Sequence, residues 1–263
     1  MPARPVAPSA GGLGWANLGM DIVSAHRVRK LLAEHGEEFF TRMLGPGELA
    51  DCRTSTGLDV LGLCGRIAAK EAAFKTLRVR NRFLPWLDIV IRRADGGWPL
   101  VELRRSAAVM AGDSGITGIT VSISHDVEYA VAVAAPITGD TTGPGSRPEP
   151  TTHSPPLRGV LARSAVRSPL HIPLVHSTVR RPPMSDGLQQ IKDWILKRHT
   201  DREDIATDLD LIENRLIDSL SFVEFVFLLE QLSGRSIEME TLEVDAIRTL
   251  GAIESNFFCA EVK

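Results

Sequence analysis

Asp21 and Glu71 are the two acids around which this chain could build chemistry. Asp21 stands in Leu18-Gly19-Met20-Asp21-Ile22-Val23, which reads as a short strand with one acid among apolar neighbours. Glu71 stands in residues 65–77, where Ala, Leu, Lys, Arg and Glu dominate and no proline interrupts, so the stretch reads as one helix. Carboxylates on two separate elements suit a hard divalent cation such as Mg²⁺, which takes one or two of them and completes its shell with water and phosphate oxygens. Lys75 would add a point charge for phosphate, and Arg66 a second cation on the same helix. His125, at the point where a strand breaks, could contact phosphate or carry a proton. Each residue also has a plain structural use. Glu71 and Lys75 are four apart and make an ordinary helix pair, Asp21 could cap a neighbouring helix, and His125 could close a turn.

The elements that must hold these groups can be read in order. A helix is expected from Ser24, with Val28, Leu31 and Leu32 on one face, and the apolar periodicity runs on through Phe39, Phe40, Met43 and Leu44 to Gly45-Pro46-Gly47. Glu48 to Cys52 gives a short helical piece. In residues 65–77, Ile67, Phe74 and Leu77 form an apolar stripe that should face a core. Trp86 to Ile91 reads as a strand, Asp95-Gly96-Gly97 as a hairpin turn, and Pro99 to Leu103 as the return strand. Ser106 to Met110 reads as helical. Alternation from Ile119 to His125, resumed from Tyr129 to Ala134, gives two more strands. The pattern is α+β with a mainly antiparallel sheet.

With 43% hydrophobic and 24% charged residues the composition is that of an ordinary globular protein. No apolar run approaches the roughly 18 residues of a membrane span, residues 1–14 lack the continuous apolar segment of a secretory signal, and the three cysteines have neither pairing count nor metal spacing. A reduced, cytoplasmic protein is expected, with no membrane or nucleic-acid partner. The net charge of −3 hides a division: residues 1–136 carry +2, residues 137–183 carry +4, and residues 184–263 carry −9. A neutral-to-basic front is joined to a strongly acidic back, and the two could attract each other. Residues 1–16 read as a frayed extension. The Pro-, Ser- and Thr-rich residues 137–183 read as a flexible linker.

In combination, residues 18–134 resemble the holo-acyl-carrier-protein synthase family, small trimeric 4′-phosphopantetheinyl transferases. The resemblance is carried in order by Gly19-Met20-Asp21-Ile22-Val23, Arg27, Phe39-Phe40-Thr41-Arg42, Glu48, Gly65-Arg66-Ile67-Ala68-Ala69-Lys70-Glu71-Ala72, Gly97-Trp98-Pro99 and Val121-Ser122-Ile123-Ser124-His125. It implies transfer of phosphopantetheine from coenzyme A to a carrier-protein serine. Asp21 and Glu71 would hold Mg²⁺, and Asp21, Glu71, Lys75 and His125 would be catalytic. Arg66, Lys75, Pro99 and His125 would bind the coenzyme, and Arg27, Phe39 and Arg42 would dock the carrier. It further implies a homotrimer with sites between protomers. Gly45-Pro46-Gly47-Glu48, where the family often has Thr-x-x-Glu, and Ile67, where an aromatic is common, depart from the pattern.

From residue 184 the periodicity turns helical. Leu188, Ile191, Trp194, Ile195 and Leu196 make one amphipathic face, and a crowded apolar helix follows Asp218-Ser219-Leu220. Further short helices are expected from Ile237 to Val244 and from Ile247 to Phe258. A serine at a helix N-terminus is ordinarily a cap. The acidic all-α pattern of residues 184–263, a small four-helix bundle, resembles an acyl carrier protein, and the resemblance makes Ser219 the phosphopantetheine attachment site. A 47-residue flexible linker spans roughly 35–40 Å root-mean-square, enough to bring Ser219 to a site in its own assembly at an effective concentration on the order of millimolar. Arg27, Arg29 and Arg42 are then expected to meet the acidic helix after Ser219, and Glu224 and Glu230 to supply its charge. Two other arrangements stay open: a front half that only trimerises a carrier, and an enzyme that serves separate carrier proteins.

Overall fold

The computed structural model describes residues 17–139, 184–239 and 241–258, which belong to one compact unit. The readings of residues 1–16 and of the linker from residue 140 onward lie outside the described residues. The first sheet has strand order β1 (Gly19–Ser24), β7 (Tyr129–Thr138), β6 (Ile116–His125), antiparallel throughout. Its register lines Asp21 up with Ala132, and Ala132 with Ile123. β7 runs to Thr138, two residues past the expected domain end at 136.

A short hairpin, β2 (Arg53–Thr54) with β3 (Gly57–Leu58), leads into helix α3 (Val60–Leu77), which lies across the first sheet. The helix begins five residues before the stretch read as helical, because Asp59 caps it by accepting from the Leu61 N–H at 3.0 Å. Small residues on both partners set its height. Ala68, Ala69, Ala72 and Ala73 of α3 and Ala130, Ala132 and Ala134 of β7 are all fully buried. Gly19 fits beneath Ala72 so closely that a Cβ there would stand 1.9 Å from the Ala72 carbonyl oxygen. Helix and sheet therefore approach nearer than larger side chains would permit.

The expected stripe is only part of α3's buried surface. Ile67 and Leu77 are buried, Phe74 half-buried, and Lys70 is 0% exposed. Lys70 Nζ donates to the Met43 carbonyl at 2.7 Å, Glu48 Oε2 at 2.9 Å and the Trp86 carbonyl at 2.6 Å. Three acceptors match the three donors of an ammonium. Burial pulls the Lys70 pKa down to about 8, with Glu48 pulling the other way. Glu48, 1% exposed, also accepts from the backbone N–H groups of Gly45 and Ile91. One buried ion pair thus ties α3 to α2 (Pro46–Asp51) and to β4 (Ile89–Arg93).

Two expected boundaries move for identifiable reasons. The first helix, α1 (Ala25–His35), stops at Gly36, whose φ of 73° is left-handed, and residues Glu37–Arg42 tighten into a 3₁₀ turn. The strand expected from Trp86 begins only at Ile89, since the Asp88 N–H turns back to the Pro85 carbonyl at 2.9 Å. β4 pairs with β5 (Pro99–Leu103) as a hairpin, and α4 (Arg105–Asp113) follows. Burial pushes the thiols of Cys52 and Cys64 up, to about 11 and about 12.

Residues 184–258 hold α5 (Met184–Leu196) and α6 (Ser219–Ser233), a 3₁₀ turn at Val244–Ala246, α7 (Leu250–Ile253) and a π turn at Glu254–Phe258. Two full helices and three short pieces stand where four helices were expected. Their core includes Ile191, Leu211, Phe225, Leu229, Ile247 and Ile253. Leu220 and Val223 of α6 instead join the core around α3. Among the described residues, no helix is long and apolar enough to cross a membrane.

Removing one partner of the Lys70–Glu48 pair should cost about 3–5 kcal/mol, because the other charge is stranded. Glu48→Gln is expected to lower the urea midpoint accordingly, while Glu48→Leu with Lys70→Met should recover most of the loss.

Candidate active site

On β1, Gly19, Asp21 and Val23 face α3, while Met20 and Ile22 face outward and are 64% and 60% exposed. Asp21 therefore reaches the helix rather than solvent. Lys75 Nζ donates to Asp21 Oδ1 at 2.7 Å and to the Met20 carbonyl at 2.9 Å. The helix pair open to Glu71 and Lys75 does not form as an ion pair; Lys75 is taken by the strand. Glu71 is half-buried one turn away. Burial first, and then the charge of Asp21, push its pKa up to about 8, against the pull of Lys75 and a hydrogen bond from Ser219. The Ser219 hydroxyl is thus a polar neighbour of the Glu71 carboxylate, close enough to draw its pKa down. Two oxygen-donor carboxylates that repel each other beside a lysine form a donor set that fits a hard divalent cation.

Ser219 is brought there by α6. Asp218 is the N-cap and accepts from the Ser221 N–H at 2.7 Å, and Arg27 of α1 forks onto it at 2.7 and 2.8 Å. Burial opposes ionisation of Asp218, yet Arg27 and Ser221 hold its carboxyl well below the usual carboxylate range. Arg42 donates to Glu230 at 2.6 Å and lies 5.5 Å over the Phe227 ring. Two of the predicted docking residues therefore contact α6 directly. Phe39 does not: it is 2% exposed and stacks on His35 at 5.1 Å, and His35 in turn meets the edge of Phe227 at 5.3 Å. Arg29 does not meet α6 as expected, since its guanidinium turns to the Val127 carbonyl at 3.4 Å.

Of the back-half acids singled out in the sequence, Glu224 is paired internally with Arg198. Asp210 braces its own loop, accepting from the Ile212 and Glu213 N–H groups and from Arg248. Asp218 and Glu230 are the acids that pair with arginines of the front half, and Glu224 comes within 4.8 Å of Glu34 and His35 of α1. Asp218 was read only as a neighbour of Ser219; its N-cap position was the signal.

Arg66, Pro99 and His125 converge elsewhere, on a groove of about 180 Å³. Arg66 is held from behind by Asp51 and by Cys52 Sγ, each at 3.1 Å. Arg92 and Arg93 line the same groove; the strand expected from Trp86 to Ile91 stops short of them, and nothing in their spacing marks them. Asp21, Glu71 and Lys75 do not line it. The link between the two places is α3, which carries Arg66, Glu71 and Lys75 in succession.

Residues 17–134 match the 4′-phosphopantetheinyl transferase superfamily. A holo-[acyl-carrier-protein] synthase from Desulforudis audaxviator is 38% identical over 117 residues, which cover 88% of that protein and 44% of this chain. The chain belongs to the holo-[acyl-carrier-protein] synthases. A synthase from Desulfovibrio desulfuricans is 40% identical over 118 residues, covering 92% of that protein and 44% of this chain. Among solved structures, the Helicobacter pylori synthase in complex with coenzyme A is 30% identical and aligns over 46% of this chain and 99% of its own, with a TM-score of 0.40. The synthase match ends at residue 134, so Ser219 reaches Glu71 from outside the matched region.

A carboxyl whose folded pKa is raised costs stability once it ionises, so this penalty grows as pH rises from the ordinary carboxylate range through about 8. Metal-free Glu71→Gln is expected to melt at or above the wild-type temperature at pH 9, by roughly 2–4 °C for each kcal/mol relieved. The gap should close near pH 5, where Glu71 is protonated. Differential scanning calorimetry across that range checks the sign.

Proposed function

We propose that the chain transfers 4′-phosphopantetheine from coenzyme A to Ser219 of its own acidic back half, residues 184–263 acting as a tethered acyl carrier. The reach of the Ser219 hydroxyl to Glu71 carries this reading. A serine at the acids of a synthase is where the acceptor of that reaction belongs.

In the reaction, the Ser219 oxygen forms a bond to the β-phosphorus of coenzyme A. The phosphorus–oxygen bond of the pyrophosphate breaks, and adenosine 3′,5′-bisphosphate leaves with the electron pair. Glu71, whose carboxylate neighbours the hydroxyl, would take its proton through one water. Asp21 and Glu71 would also hold Mg²⁺, which supplies neutralisation of the charge spreading over the phosphate oxygens. Lys75 adds a second positive contact, swinging from Asp21 to phosphate. Arg66, Pro99 and His125 would take the nucleotide side, with Arg92 and Arg93 offering two further cations to the same groove.

The outer face of the sheet supports assembly into a homotrimer. Met20 pairs across the strands with Val133, and both are exposed, as are Leu18, Ile22, Tyr129 and Ile137. An apolar sheet face of this extent calls for a cover. A neighbouring protomer covering it would bring another His125 towards Asp21.

Intact-mass analysis of the purified apo protein with coenzyme A and Mg²⁺ tests the reading. A gain of one phosphopantetheine that disappears in Ser219→Ala is expected, at a rate independent of protein dilution. Asp21→Asn should slow it at least about a hundredfold. If Ser219 stays unmodified while a separately purified carrier protein is modified, the tethered-substrate reading fails. If neither is modified, the activity itself fails.

A further inference from the structure

Helix α3 leads out of the active site into the loop from Arg78 to Phe83, to which the sequence pattern assigns no role. Arg78 and Asn81 both adopt left-handed backbone, at φ 51° and 54°. Non-glycine residues hold such conformations where the surroundings over-determine them. What this loop achieves is the placement of Phe83. Its ring stacks on Phe222 of α6, with centroids 4.1 Å apart and planes 12° from parallel. Phe83 packs against the apolar cluster of residues 184–258, not against the core of the half that carries it. Asn81 Oδ1 accepts from Arg248 at 3.1 Å beside it.

Phe222 lies one helical turn after Ser219, and Asp218 lies immediately before it. The start of α6 is therefore gripped at two points that flank the serine: the Arg27 fork on Asp218 and the Phe83 ring on Phe222. The two grips read different things. An arginine on a carboxylate accepts any acidic helix presented in the right register, so charge steers without discriminating finely. A stacked aromatic pair answers to the identity of one side chain, because an aliphatic or polar residue there keeps the charges and loses the stack.

We propose that the Arg78–Phe83 loop is a specificity element of the synthase, in which Phe83 selects carriers bearing an aromatic ring three residues after the modified serine. Such a carrier is the chain's own. The inference rests on the reading of residues 184–263 as the acceptor.

Internal competition tests it. The full-length chain receives limiting coenzyme A together with excess of a separately purified carrier protein that has an aliphatic residue at the position of Phe222. The ratio of self-modified to separately modified product is read by intact mass early in the reaction, so that it reports relative specificity even if self-modification is saturated. Phe83→Ala should lower that ratio about threefold to tenfold, the worth of a stacked pair, with the rate on the separate carrier unchanged. Phe222→Ala should lower it similarly, and the double variant no further than either single one. Phe83→Leu, which keeps apolar bulk but not the ring, guards against a folding defect and should give most of the same loss. A ratio indifferent to Phe83, or single effects that multiply in the double variant, overturns the proposal. Hydrogen exchange at the N–H groups of α6 in the coenzyme-free chain separates this outcome from failure of the acceptor reading. Faster exchange in Phe83→Ala supports the contact even if Ser219 proves unmodified, and unchanged exchange refutes it.

Discussion

The contact between Gly19 and Ala72 is the constraint from which the active site follows. A strand and a helix separated by ordinary side chains would leave Asp21 and Lys75 too far apart to meet through a carboxylate and an ammonium. With no Cβ at Gly19 and the methyl groups of Ala68, Ala69, Ala72 and Ala73 meeting those of Ala130, Ala132 and Ala134, α3 sits low enough for Lys75 to reach past the strand edge to Asp21 and to the Met20 carbonyl. Glu71, a turn earlier, is carried into the same half-buried space, where burial and its neighbour's charge raise its proton affinity. Below the helix, Lys70 and Glu48 fix its rotation, since a fully buried ammonium with three fixed acceptors leaves little freedom to roll. Packing sets the distance, the buried pair sets the angle, and the chemistry-bearing residues are what remain on the exposed side.

Much of this was legible in the sequence, and the exceptions have physical causes. Leu18 to Val23 was legible as a strand carrying Asp21, and composition placed Glu71 and Lys75 on one helix, but alternation alone would turn Met20 and Ile22 inward, and they face out. The partner of Lys75 was not legible, because spacing along a helix shows what is near within it and nothing of what a strand brings across. Lys70 could not be told from a solvated lysine, since its acceptors are two backbone carbonyls and a glutamate 22 residues away. Phe39 was read as a docking surface and is instead a buried support, acting through His35. The groove residues Arg92 and Arg93 fall beyond the strand expected to end at Ile91, although β4 runs on through both, since two charged residues break the apolar run that marks it. In the back half, apolar periodicity located α5 and α6 well. The remaining segment broke into short turns because Asp210 and Arg248 fold it by side-chain bonds that have no sequence period.

The charge division between the halves resolves into a few specific pairs. A net of −9 over residues 184–263 suggested a broad acidic face, yet the pairs that meet the synthase half are Arg27 with Asp218 and Arg42 with Glu230. Glu224 pairs with Arg198 and lies beside Glu34 and His35 of α1, while Asp210 is spent inside its own half. The remaining excess acts at longer range, where it can steer encounter and is screened by salt beyond about 8–10 Å. Short-range order at the interface belongs to forked and stacked contacts, long-range attraction to the surplus.

Leu220 and Val223 of α6 are buried in the core around α3, while Phe83, half-buried, packs against the residues of the back half. Each half thus lends apolar side chains to the other, and the boundary between them is drawn differently by the chain than by the packing. Any motion that lifts Ser219 away from Glu71 must bare those side chains to water, so separation of the halves resembles a small unfolding more than the parting of two polished surfaces. It carries a positive heat-capacity change, which makes the enthalpy of parting depend steeply on temperature and bends the balance between joined and parted forms into an arch. Temperature then governs how long Ser219 stays beside Glu71.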